Sequence, residues 1–109
     1  MRKKILWMGS SLKDLREMSD DLREDIGQNL GLIQAGFPPK DFKPMPSVGL
    51  GVYEIRAKAK DNIARCFYVT KFNDIVVVLH CFIKKTQKTS ARDIEVGKSR
   101  YHELKGKFK

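Results

Sequence analysis

The chain is poor in anything that would cross-link it or anchor it from outside. It has two cysteines in 109 residues, too few for a disulfide framework or a zinc site. Both lie in apolar runs, Arg65-Cys66-Phe67-Tyr68 and Leu79-His80-Cys81-Phe82, where buried free thiols in a reducing compartment are expected. Long hydrophobic runs are missing too. The opening Met1-Arg2-Lys3-Lys4-Ile5-Leu6-Trp7-Met8 carries a basic flank but only four apolar residues before Gly9-Ser10. That is too short for a secretory signal or a membrane span, so the expectation is a soluble, cytoplasmic protein. There is no phosphate-cradling glycine loop, no zinc-ligand spacing and no defensible Ser/His/Asp set. Gly49-Leu50-Gly51 is only a turn before a strand. No metal and no cofactor are therefore expected. Without a repeat, a low-complexity stretch or a linker, the length reads as one domain over residues 1–109.

What the chain has in excess is positive charge. Twenty-two Lys and Arg against 13 Asp and Glu leave a formal net charge of +9 and a sequence pI near 9.7. Its placement is uneven: residues 1–54 hold eight basic and eight acidic side chains, residues 55–109 fourteen and five. Within Ser11–Ile26 six acids outnumber three bases. Such a polar molecule orients against a polyanion, which favours nucleic acid as partner.

The hydrophobic pattern gives the elements. Ile5-Leu6-Trp7-Met8 reads as a short strand closed by Gly9-Ser10-Ser11. Ser11 with Asp14 resembles a capping box, and Leu12, Leu15 and Met18 then recur at helical spacing. A break near Ser19 separates a second helix through Leu22, Ile26, Leu30 and Ile33, stopped by Gly36 and Phe37-Pro38-Pro39. Pro38–Gly51, holding all four prolines, reads as a connecting loop. Val52–Ala57, Ile63–Thr70 and Ile75–Ile83 read as an antiparallel meander with good hairpin turns between. The last strand, apolar on both faces, is expected to be central. Ser90 and Asp93 repeat the capping pattern and open a terminal helix through about Leu104. The fold class is α+β, order β-α-α-β-β-β-α: a small, mainly antiparallel sheet packed against a helical hairpin, with a C-terminal helix.

Side chains two apart on a strand share a face. Glu54 and Arg56 therefore project together, with Tyr53 and Ile55 opposite and under the helices. Arg65 and Phe67 pair in the same way, as do His80 and Phe82, and the line continues to Lys84. Two arginines inside strands call for partners. One reading is a solvated face in which Glu54 and Asp61 pair with Arg56 and Arg65. The other is a cationic concavity for RNA, with arginine forks on phosphates and Phe82 as a stacking ring. Beyond it, Lys84, Lys85 and Lys88 with Thr86, Gln87 and Thr89 suit phosphate contact. Neighbouring cations are expected to lower the pKa of His80 and keep it neutral as a base.

The blocks Tyr53-Glu54-Ile55-Arg56, Arg65-Cys66-Phe67-Tyr68 and Leu79-His80-Cys81-Phe82-Ile83-Lys84-Lys85-Thr86-Gln87-Lys88-Thr89 resemble the RelE/ParE toxin superfamily, in its phage-derived HigB-like branch. Trp7-Met8-Gly9-Ser10-Ser11 and Gln34-Ala35-Gly36-Phe37-Pro38 extend the likeness over nearly the whole chain. The resemblance implies a toxin of a toxin–antitoxin pair, with a cognate antitoxin, which in this branch can be of helix-turn-helix type, and with the ribosome and mRNA as targets. RelE-type relatives cut mRNA through attack of the ribose 2′-hydroxyl on the adjacent phosphate; ParE-type relatives poison DNA gyrase without nuclease activity. A third alternative is a non-catalytic phage nucleic-acid binder. Carried over, Arg56, Arg65 and Lys84 match the catalytic cations, and Lys85, Lys88, Phe82, Thr86 and Gln87 fall in the RNA-binding segment. The first basic position of the Tyr-x-Ile strand is Glu54 here, and the catalytic tyrosine of some RelE-type toxins has no counterpart. His80 takes the proton-transfer role instead.

Overall fold

The computed structural model describes residues 2–60, 62–72, 74–84 and 88–108. Among the described residues the chain forms β1 (Ile5–Trp7), α1 (Ser11–Arg16), α2 (Asp20–Gln34), β2 (Phe42–Pro44), β3 (Tyr53–Lys58), β4 (Ile63–Val69), β5 (Val76–Lys84) and α3 (Ala91–Lys107). The strands make one sheet in the order β1-β5-β4-β3-β2. β1 runs parallel to β5 and the other pairs are antiparallel. The α+β class and the element order follow the sequence reading, with three corrections.

First, the Pro38–Gly51 loop contains β2, an edge strand too short and too proline-rich to show a period. It pairs Lys43 with Glu54 across the sheet. Second, the strand in the middle is β4; β5 is interior, between β1 and β4. Third, the N-cap of α1 is Ser10, whose hydroxyl donates to Asp14 Oδ2 at 2.7 Å. Ser11 lies inside that helix, fully buried, with its hydroxyl on the carbonyl of Val78. The expected break holds: the Leu22 N–H donates to Ser19 Oγ, which caps α2. α2 ends in paired bonds, Gly36 N–H to Ile33 O at 3.0 Å and Phe37 N–H to Leu32 O at 2.9 Å. That closure places Gly36 at φ +91°, a conformation glycine adopts without strain.

The sheet is covered on both faces. Leu15 and Met18 of the α1 segment and Leu22, Ile26, Leu30 and Ile33 of α2 bury Ile55, Ala57, Ala64, Cys66, Tyr68, Val76, Val78 and Cys81. On the other face Tyr101 and Leu104 of α3 join Phe67, Val69, Val77, Leu79 and Phe82. The contact is tight at Gly97, where a Cβ would stand 2.8 Å from the Phe67 ring and 2.9 Å from Val48. β5 is apolar on both faces because both are covered.

One irregularity in β5 positions the site. Phe67 pairs with His80 and Tyr68 with Val78, so Leu79 and His80 together oppose one residue, which is a β-bulge. Val76 and Val78 face the helical hairpin, Val77 and Leu79 face α3. Strict alternation would send His80, Phe82 and Lys84 to the hairpin side. The bulge returns them to the α3 side and turns Cys81 inward against Cys66.

Candidate functional site

At one end of the α3 face the apolar packing gives way to buried charge. The centre is Glu54, fully buried on β3. Its Oε1 lies 3.5 Å from Arg65 Nε and 4.0 Å from Lys43 Nζ, and its Oε2 accepts the Thr89 hydroxyl at 3.2 Å. Neither Glu54 Oε1 nor Arg65 Nε has a hydrogen-bond partner among the described residues; they are held by charge at contact distance. Arg56 stands opposite Arg65 across the β3–β4 ladder, with its Nε 4.0 Å from Asp41 Oδ1. Lys84, only 8% exposed, completes the group from the end of β5. Four cations thus gather around one buried carboxylate and one rim carboxylate, which leaves positive charge in excess.

The electrostatics follow from that crowding. Burial holds the Lys84 ammonium below the ordinary lysine pKa, and Arg65, Lys43 and Arg56 push the same way against Glu54. Arg65 is lowered as well, by burial first and Arg56 second, with Glu54 opposing; a guanidinium keeps its proton regardless. Arg56, half-exposed at the rim, can take a phosphodiester directly, while the buried Arg65 guanidinium and the buried, more acidic Lys84 ammonium lie behind it and supply charge and an exchangeable proton.

His80 and Phe82 are on the same face but occupied otherwise. The rings stack at 4.7 Å, and Phe67 meets Phe82 edge-on at 5.2 Å. Phe82 is 8% exposed, so its ring is packing rather than an open platform for a base. His80 Nε2 lies 2.8 Å from Asp93 Oδ1, and Ser90 donates to the other oxygen at 2.6 Å. His80 Nδ1 is buried without a hydrogen-bond partner among the described residues. Burial lowers its pKa and Asp93 opposes that shift, with Arg100 a lesser lowering influence. The expected direction holds, but its main cause is desolvation and not neighbouring cations.

Other expected residues divide plainly. Arg56, Arg65 and Lys84 are brought together. Lys88 is exposed beyond the strand, and Lys85, Thr86, Gln87 and Asp61 lie outside the described residues. Arg65 pairs with Glu54, as one of the two readings had it, while the partner of Arg56 is Asp41. Cys66 and Cys81 are buried free thiols, their sulfurs 3.5 Å apart. Sequence reasoning missed Lys43, read Thr89 as a phosphate donor and Asp93 only as a helix cap, and saw Glu54 as one arginine's partner or as a departure when it is the hub. The signal for Glu54 was a lone carboxylate two residues from a strand arginine; Lys43 had none, because it arrives on a strand with no legible period, and nothing local tied Thr89 to Glu54. Among the described residues no group of three His, Cys, Asp or Glu side chains converges as a metal site, and no helix is long and apolar enough to cross a membrane.

No curated protein matches the chain. The model of the family described as "Phage derived protein Gp49-like (DUF891)" matches residues 13–102, a span that runs from α1 to the second half of α3 and includes every cation of the cluster. The chain belongs to the phage-derived Gp49-like family.

Proposed function

We propose that this chain is the toxin of a type II toxin–antitoxin pair, of the HigB-like branch of the RelE/ParE superfamily, and that it cleaves mRNA on the ribosome. The observation that carries the reading is the gathering of Arg56, Arg65, Lys43 and Lys84 around Glu54 on one face. Membership in a phage-derived family that is RelE-like in general supports it. In cleavage of this type the 2′-hydroxyl attacks the adjacent phosphate and gives its proton to solvent water, and the P–O5′ bond breaks to leave a cyclic phosphate and a free 5′-hydroxyl. Arg65 and Arg56 stabilise the charge that builds on the phosphorane. Lys84 is the proton carrier at the leaving oxygen, because its lowered pKa and its place in the cluster suit it better than His80, whose Nε2 is engaged with Asp93. His80 and Phe82 wall the site and set the end of β5. The expected partners are mRNA, the ribosome and a neutralising antitoxin, in the cytoplasm.

The test is primer extension on a reporter mRNA, with and without translating ribosomes. New 5′ ends that need ribosomes support the reading; their absence with folded protein overturns it. Arg56→Gln is the cleaner probe, since its side chain is 42% exposed and its ion pair with Asp41 is long and solvated; activity is expected to fall about a hundredfold or more. Arg65→Ala is not clean, because it strands Glu54. A gyrase-inhibiting activity would instead produce DNA damage with intact mRNA.

A further inference from the structure

A second basic region lies at the far end of the α3 face, and the cluster around Glu54 does not account for it. Tyr101 is 5% exposed and donates its hydroxyl to the Leu50 carbonyl at 2.7 Å. Two ammonium groups sit over its ring, Lys71 Nζ at 5.4 Å and Lys105 Nζ at 5.2 Å from the centroid. Lys98 and His102 complete the rim of an open cleft of about 670 Å³. The only carboxylate paired with these lysines among the described residues is Glu95, 3.6 Å from Lys98. The floor is closely packed: a Cβ on Gly49 would stand 2.4 Å from the Tyr101 ring, so the loop lies flat on it only because glycine is there. Leu50, 79% exposed, forms an apolar lip.

Two cations over one ring repel each other, yet the ring holds their stems in place. The arrangement gathers positive potential that an anion relieves. A small anion is not the best match. β4 carries Arg65 near its start and ends at Val69, so the two basic regions are separated by about 13 Å of extended strand before Lys71 is reached. α3 spans the same face, with about 18 Å of helix from Asp93, beside His80, to Lys105. No single phosphate touches both regions, whereas a polymer of phosphates does. The exposed lip gives sugars and bases an apolar contact that a free phosphate does not use.

We infer that the Lys71, Lys98 and Lys105 cleft over Tyr101 is a second binding face for the phosphate backbone of folded RNA, which holds the molecule while the cluster around Glu54 engages a separate stretch. The choice of RNA rests on the function proposed above; the two-site geometry does not. The test uses the whole chain and its Lys71→Gln/Lys98→Gln/Lys105→Gln variant, all three positions being clear of the Glu54 cluster. Fluorescence anisotropy with a labelled RNA hairpin is followed over a salt series, beside a DNA hairpin of the same sequence. The variant is expected to keep its circular dichroism melt and bind RNA about tenfold or more weakly at low salt. Its slope of log affinity against log salt is expected to fall by about two to three, with DNA bound more weakly than RNA throughout. An unchanged slope, equal binding of DNA, or no RNA binding by the unaltered protein overturns the inference. Primer extension on translating ribosomes separates the two ideas. Cleavage with an unchanged slope removes this face and leaves the nuclease; a reduced slope without cleavage by either protein leaves this face and removes the nuclease.

Discussion

The two faces of one sheet solve the problem of burial in opposite ways. Under the helical hairpin the layer carries no buried charge among the described residues: its sheet side chains are apolar, a phenol at Tyr68 or thiols at Cys66 and Cys81, and the buried polar groups of the hairpin, Ser11 and Asn29, are neutral and hydrogen-bonded. Under α3 the layer is apolar at one end only. At the other, Glu54, Arg65, His80, Lys84 and Thr89 are each no more than 9% exposed. The hairpin face gains its stability from area removed from water. The α3 face puts charges out of water, which is unfavourable unless each meets an opposite charge. The lesson is that stability and chemistry are divided between the faces. Residues on the first can be exchanged for others of similar volume, whereas residues on the second hold each other in place.

Four tests break or sharpen that division. The largest effect is expected from Glu54→Leu, which leaves Arg65 buried without its counter-charge and costs about 3–5 kcal/mol. The double change Glu54→Leu/Arg65→Leu is expected to recover most of this in urea unfolding, while RNA cleavage stays lost. If the single variant unfolds at the midpoint of the unaltered protein, the charged face is not held by Glu54. Leu22→Ala, at a fully buried hairpin position, costs about 2–5 kcal/mol through lost transfer energy and a cavity. It is expected to leave activity intact at temperatures where the protein is folded; a specific loss of cleavage would mean the faces are not independent.

Gly97→Ala tests the seam between α3 and the sheet. Its Cβ would meet the Phe67 ring at 2.8 Å, and overpacking of this kind costs about 1–3 kcal/mol, read as a lowered melting temperature. The helix-propensity gain of alanine works against it, so a raised melting temperature would show that the seam yields. The smallest effect concerns pH. Burial lowers the pKa of His80 in the fold, so the unfolded chain binds the extra proton more readily and stability rises with pH through that window. The full contribution is present above the unfolded value of about 6.5 and is lost as pH falls towards the folded one. His80→Gln is expected to flatten the acid limb of a stability–pH curve, and Asp93→Asn to steepen it, because Asp93 opposes the lowering. An identical acid limb in His80→Gln would remove His80 from that linkage.

Much of this was legible before any coordinate. Helical spacing from Leu22 to Ile33, the glycine–proline stop after it and the Ser90–Asp93 cap gave α2 and α3 within a few residues, because each is a local signal. The pairing of Arg56 with Arg65 on one face was also readable, since strand period needs no partner to be known. β2 was invisible, because three residues with a proline carry no period and pair only once β3 offers an edge. Glu54 was legible as an arginine's partner but not as the hub, for a related reason. One carboxylate among arginines looks like a defect in a basic strand until Lys43, Arg65 and Thr89 close round it from three other segments.

By itself the sequence determined the element order, the excess of positive charge in the second half and the presence of a cationic strand face. These depend on composition and on contacts within a few residues. The tertiary structure alone decided which side of the sheet His80, Phe82 and Lys84 occupy. Alternation from Val76 would have placed all three on the hairpin side, away from Glu54 and Arg65. One extra residue at the Leu79–His80 bulge moved them to the face that holds Glu54 and Arg65. A bulge is set by what the strands and α3 pack against, and no period of the isolated strand encodes it.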